Sequence, residues 1–61
     1  MTPIEAFERA DKEILDLRLF IGGRISPRQR YDARIELIAA VGRRVRARIA
    51  LESVEAERVA A

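Results

Sequence analysis

The residues of this chain best equipped for chemistry are its arginines. Twelve residues are basic, and all but Lys12 are Arg. A guanidinium stays protonated and offers a planar fork of donors, so it binds phosphate or carboxylate but does not act as a general base. There is no His and no Cys. That removes the commonest general base, the thiol nucleophile and the usual zinc ligand sets. Ser26 is accounted for by helix capping and Ser53 by a solvated helical position. The pairs Glu5/Glu8 and Glu52/Glu55 lack the His that completes a Glu-x-x-His metal site in a helical bundle. No catalytic centre, cofactor or metal site is expected.

The charges fall in blocks. Met1 to Gly23 carries −2, Arg24 to Arg48 carries +6, and Ile49 to Ala61 carries −2. The middle block contains Arg24, Arg28 and Arg30 in "GGRISPRQR", and Arg43, Arg44, Arg46 and Arg48 in "GRRVRAR". The first group is unexpected, because a helix start is partly positive and favours acids. Glu52, Glu55 and Glu57, near the end of the chain where the dipole disfavours acids, are the mirror case. One reading is a surface for phosphate or an acidic protein. The other is self-neutralisation, with Arg43, Arg44, Arg46 and Arg48 lying beside Glu5, Glu8 and Asp11 of an antiparallel neighbour. The basic residues flank an apolar seam, as in bundles that place ion pairs between helices; Arg43 alone points well away from that seam. Asp11 and Arg18 read as boundary residues that meet opposite charges, and Glu5–Arg9 and Glu8–Lys12 as pairs one turn apart. Tyr31 reads as a core residue with its hydroxyl at the edge, the alternative being a stacking contact to a ligand.

These side chains need elements to position them. "TPIE" and "SPRQ" each offer an N-cap, a Pro at the first helical position and a capping-box acceptor: Thr2, Pro3 and Glu5, then Ser26, Pro27 and Gln29. Gly22 and Gly23 supply a stop, through the left-handed conformation that Gly adopts readily. The expected organisation is one domain over residues 1–61: helix 1 at about 3–21, a turn at 22–26 and helix 2 at about 27–59. Gly42 lies inside helix 2 and reads as a site of close helix packing.

Each helix has two apolar stripes. Helix 1 has Phe7, Ala10, Ile14, Leu17 and Ile21, and separately Ile4, Leu15 and Leu19. Helix 2 has Tyr31, Ile35, Ile38, Gly42, Val45, Ile49, Ala56 and Val59, and beside it Ala33, Leu37, Val41 and Leu51. One neighbour covers one stripe, so the second asks for another chain. Helix 2 also outruns helix 1 by about a dozen residues that carry Ile49, Leu51, Val54 and Val59. A chain this short rarely builds a sufficient core alone, and without Cys or metal the remaining device is oligomerisation. The fold expected is all-α: a helical hairpin with a short first and a long second helix, assembling as a homodimeric four-helix bundle. Its interface would use Leu15, Leu19, Ile49, Leu51, Val54 and Val59.

No apolar run is long enough for a membrane span. The opening "MTPIEAFERADKE" lacks the basic start and apolar centre of a secretory signal, so a cytoplasmic location is expected. The Arg and Ala bias suggests a bacterial or phage genome. Three functions fit. The first is a small non-catalytic interaction protein (adaptor, inhibitor or assembly factor) that binds a protein partner through an apolar stripe or the arginine-rich tip. The second is a dimeric nucleic-acid-binding regulator using residues 24–48. The third is a structural subunit of a phage particle or larger helical complex.

Overall fold

A computed structural model describes residues 1–60. Two helices, α1 (Pro3–Ile21) and α2 (Pro27–Ala60), form an antiparallel hairpin about as long as α2 itself. The longest dimension is 52 Å, as 34 helical residues at about 1.5 Å each require. The five residues between the helices make the turn.

Both helix starts are capped by the residues expected, but not equally. At α2 the capping box is reciprocal: Gln29 N–H donates to Ser26 Oγ (3.2 Å), and Ser26 N–H donates to Gln29 Oε1 (2.9 Å). At α1 only one half is present, Glu5 N–H donating to Thr2 Oγ1 at 3.2 Å. The end of α1 departs from expectation. Gly22 is right-handed (φ −76°, ψ −10°), and no glycine among the described residues has a positive φ. The helix closes instead by tightening. Gly22 N–H donates to Arg18 O and Gly23 N–H to Phe20 O, both at 3.1 Å. These bonds satisfy terminal carbonyls without a left-handed residue.

The interface between the helices is built mainly from alanine. The buried residues are Ala10 and Ile14 on α1, and Ala33, Ala40 and Ala47 on α2, with Ala40 fully inaccessible. Half-buried Phe7, Leu17 and Ile21 extend the α1 side, and Leu37, Arg44 and Leu51 fill the α2 side. The α2 face therefore reads 33, 37, 40, 44, 47, 51, alternating four and three, the spacing of a helix-packing seam. Small side chains at every other contact permit close approach of the two backbones. Beyond Leu51, residues 52–60 are all exposed.

Two further expectations are corrected here. Tyr31 is not a core residue; it is 65% exposed. Gly42 is not a close-packing site within the chain, since a Cβ there would meet nothing within 4 Å. Both sit on the stripe that α1 leaves uncovered, because α1 pairs with the alanine face and not with the face of large residues.

Candidate interaction surface

Packing α1 on the alanine face leaves the larger side chains outside. Tyr31, Ile35, Ile38, Val45 and Ile49 form a second stripe on α2, with Gly42 in its middle, and each of the five is more than half exposed. Val41 flanks it at 41%. On α1 the exposed large side chains are Ile4, Leu15 and Leu19, with Phe20 apart from them near the turn. At about 100° per residue, the α2 stripe lies roughly 150° round from its alanine face, and the α1 stripe roughly 130° round from Ala10 and Ile14, both in the sense of chain advance. The helices run antiparallel, so offsets of the same sense bring both stripes to one side of the hairpin.

The opposite side is charged. Glu13, Asp16, Glu36 and Arg43 line a shallow groove there. Another, near the turn, is lined by Asp16, Asp32 and Glu36 together with Leu17, Phe20, Gln29 and Ala33. The hairpin is thus two-sided: one side holds polar grooves, and both exposed apolar stripes turn toward the other.

The arginines divide into engaged and free. Arg43 donates to Glu13 at 2.7 Å, so the side chain expected to point away in fact reaches the neighbouring helix. Glu13 also receives Arg9 from its own helix at 3.7 Å. Arg44 occupies the inward face: it lies 3.4 Å from Asp11, and its guanidinium carbon sits 5.4 Å from the centre of the Phe7 ring. A charge at a core-face position is tolerated because that aromatic face and that carboxylate both receive it. Arg48 pairs with Glu52 one turn on, at 3.2 Å. All these partners are substantially exposed, so each pair contributes at most about 1 kcal/mol. Self-neutralisation is therefore real for Arg43 and Arg44, though Glu13 and Asp11 receive them where Glu5, Glu8 and Asp11 were expected. Glu5–Arg9 and Glu8–Lys12 are not among the ion pairs, and Arg18 makes none, among the described residues.

Arg24, Arg28, Arg30 and Arg46 also make no ion pair among the described residues. The first three crowd the tip of the hairpin, and all four are exposed. At the other end, Glu55 and Glu57 project from the α2 overhang, again unpaired among the described residues. Of the proposed interface residues, Leu15, Leu19, Ile49, Val54 and Val59 are exposed. Leu51 is half-buried and belongs to the inward face. Val54 continues that inward face one turn past the reach of α1.

Sequence reasoning missed Ala40 and Ala47 as core residues. The signal was present, since they complete a four-three spacing with Ala33, Leu37 and Leu51. Arg44 interrupts that series, and alanine weighs little when stripes are ranked by size.

No helix among the described residues is long and apolar enough to cross a membrane. No group of acidic residues among them is placed to hold a metal ion. No family profile, curated protein or solved structure matches the chain.

Proposed function

We propose that this chain is a small, non-catalytic interaction protein that works as a homodimer, two hairpins forming a four-helix assembly, and binds a protein partner. The observation that carries this reading is the distribution of apolar side chains. The hairpin spends alanines on its own interface and leaves Tyr31, Ile35, Ile38, Val45 and Ile49 in water, with Leu15 and Leu19 on the same side. Contiguous exposed apolar surface of this kind marks an interaction site, and amphipathic helices are a common means of recognition. No His or Cys is available for the commonest kinds of catalysis. The test is capture of a partner by the tagged chain from nuclease-treated native-host extract, against an Ile38→Glu/Val45→Glu variant. Retention by the wild type and loss by the variant is the expected result; equal capture by both overturns the reading.

A second reading is favoured by one observation, the free arginines Arg24, Arg28 and Arg30 at the tip. They would contact phosphates of a nucleic acid, and binding of duplex DNA or hairpin RNA would then fall steeply with salt. Filter binding at two salt concentrations tests it, and no retention at low salt eliminates it.

A further inference from the structure

We infer that the outward stripe of α2 is occupied by α2 of a second copy, running antiparallel and overlapping along its whole length. This inference rests on reading the stripe as a protein-binding surface, and it names the occupant, the direction and the register. The stripe runs 31, 35, 38, 42, 45, 49 and continues through Glu52, Ala56 and Val59, alternating four and three throughout. That is the spacing of a two-helix seam.

An antiparallel seam sets the two kinds of seam position against each other. Full overlap of Pro27–Ala60 with its copy places Tyr31 opposite Ala56, Ile35 opposite Glu52, Ile38 opposite Ile49 and Gly42 opposite Val45. A shift of one heptad either way leaves two turns of each helix without a mate. In the full register the bulky Tyr31 meets a small residue. The open space at Gly42 receives Val45 on both sides of the two-fold axis. Alternating large with small across a seam is how facing helices fill space.

Charge selects the direction independently. Arg28, Arg30 and Arg34 lie at one end of α2, and Glu52, Glu55 and Glu57 at the other. A parallel pair would set each group against its own copy. The antiparallel pair sets Arg30 and Arg34 on the flank that carries Glu52 and Glu55 of the mate, at both ends of the dimer. Arg28 lies on the other flank, which carries Glu57. Charges flanking such a seam set the orientation of the partners. The tip arginines, which oppose the N-terminal dipole of their own helix, are then answered by the mate's overhang. Arg24 stays outside the contact.

The chain has no Cys, so cysteine substitutions report the register cleanly. The expected result is that Ile38→Cys and Ile49→Cys chains form a mixed disulfide when combined, and that neither cross-links to itself. A disulfide needs Cα atoms within about 7 Å, and in this register each position lies several turns from its own copy. Self-linked Ile38→Cys and Ile49→Cys would overturn the direction while leaving protein binding intact. Light scattering of the unmodified chain should give twice 6.9 kDa. A helical monomer, by circular dichroism, at all concentrations up to hundreds of micromolar would overturn the second copy as occupant. Partner capture in that case would still support the functional reading. The variant Arg28→Glu/Arg30→Glu/Arg34→Glu should dimerise on the order of tenfold more weakly. Mixing it with Glu52→Arg/Glu55→Arg/Glu57→Arg should restore association, and no restoration overturns the charge pairing.

Discussion

The two apolar faces of α2 share one spacing and differ in side-chain size. The inward face presents Ala33, Ala40 and Ala47 to α1, and these are buried. The outward face presents Tyr31, Ile35, Ile38, Val45 and Ile49, and these are exposed. A face of methyl groups brings its neighbour close and gives dense packing along the backbone, but it buries little area per residue. A face of branched side chains buries more, at about 25 cal/mol for each Å² removed from water, and needs a partner of matching shape. The hairpin uses the first kind of face to define itself and holds the second in reserve.

This contrast is sharpest under one change made on both faces. Ala40→Asp places a carboxylate where nothing is accessible. It should cost several kcal/mol and abolish the cooperative thermal transition followed by circular dichroism. Ile38→Asp, two residues away on a 72% exposed side chain, should preserve helicity and remove only the higher mass in light scattering. Equal damage from both would break the distinction between the faces. Ile14 is the one large buried residue of the inward interface, at 2% exposure. Ile14→Ala should lower stability by about 2–4 kcal/mol, measured by urea titration. A loss under 1 kcal/mol would mean that the outward face holds the hairpin together.

Smaller effects come from the ends of the helices. Ser26→Ala removes the Oγ that accepts from Gln29 N–H and keeps the backbone N–H that donates to Gln29 Oε1; it should cost about 1 kcal/mol, a fall of roughly 4–8 °C in Tm. Thr2→Ala likewise loses one bond and should cost a similar amount. Gly22→Ala runs the other way. Gly22 has a helical φ, and a Cβ there would meet Arg18 O at an ordinary 3.5 Å. The substitution should stabilise by about 0.4–1 kcal/mol through the unfolded chain, seen as a rise in Tm. A fall would show that the turn needs a conformation only glycine reaches.

Much of the fold was legible because its punctuation is local. Thr2–Pro3 and Ser26–Pro27 are read from residues a few positions apart, and α1 ends where Gly22 and Gly23 say it should. The hairpin follows from two helices and a short turn. Which face of α2 meets α1 was not legible. Both faces alternate four and three, and the size of Tyr31, Ile35 and Ile38 argues for the wrong one as the core of the single chain. The deciding factor is how closely two backbones approach, which no pattern along one strand of sequence measures. The same mistake placed Tyr31 in the core and gave Gly42 a neighbour. For the arginines, charge blocks indicated that Arg43 and Arg44 would face acids. The individual partners, Glu13 and Asp11, depend on the rotation of α2 about its axis, which the choice of face sets.

The alanines of the inward face carry a consequence for the entropy of the two steps. Alanine has no rotamers to lose, so closing the hairpin over Ala10, Ala33, Ala40 and Ala47 freezes almost no side-chain motion. The isoleucines outside keep their freedom until something covers them, and each then gives up roughly 0.5–1 kcal/mol of it. The alanine contacts thus add little side-chain ordering cost to the hairpin, and covering the outward face would add more per residue. The larger side chains on the outward face keep their freedom to fit whatever covers them.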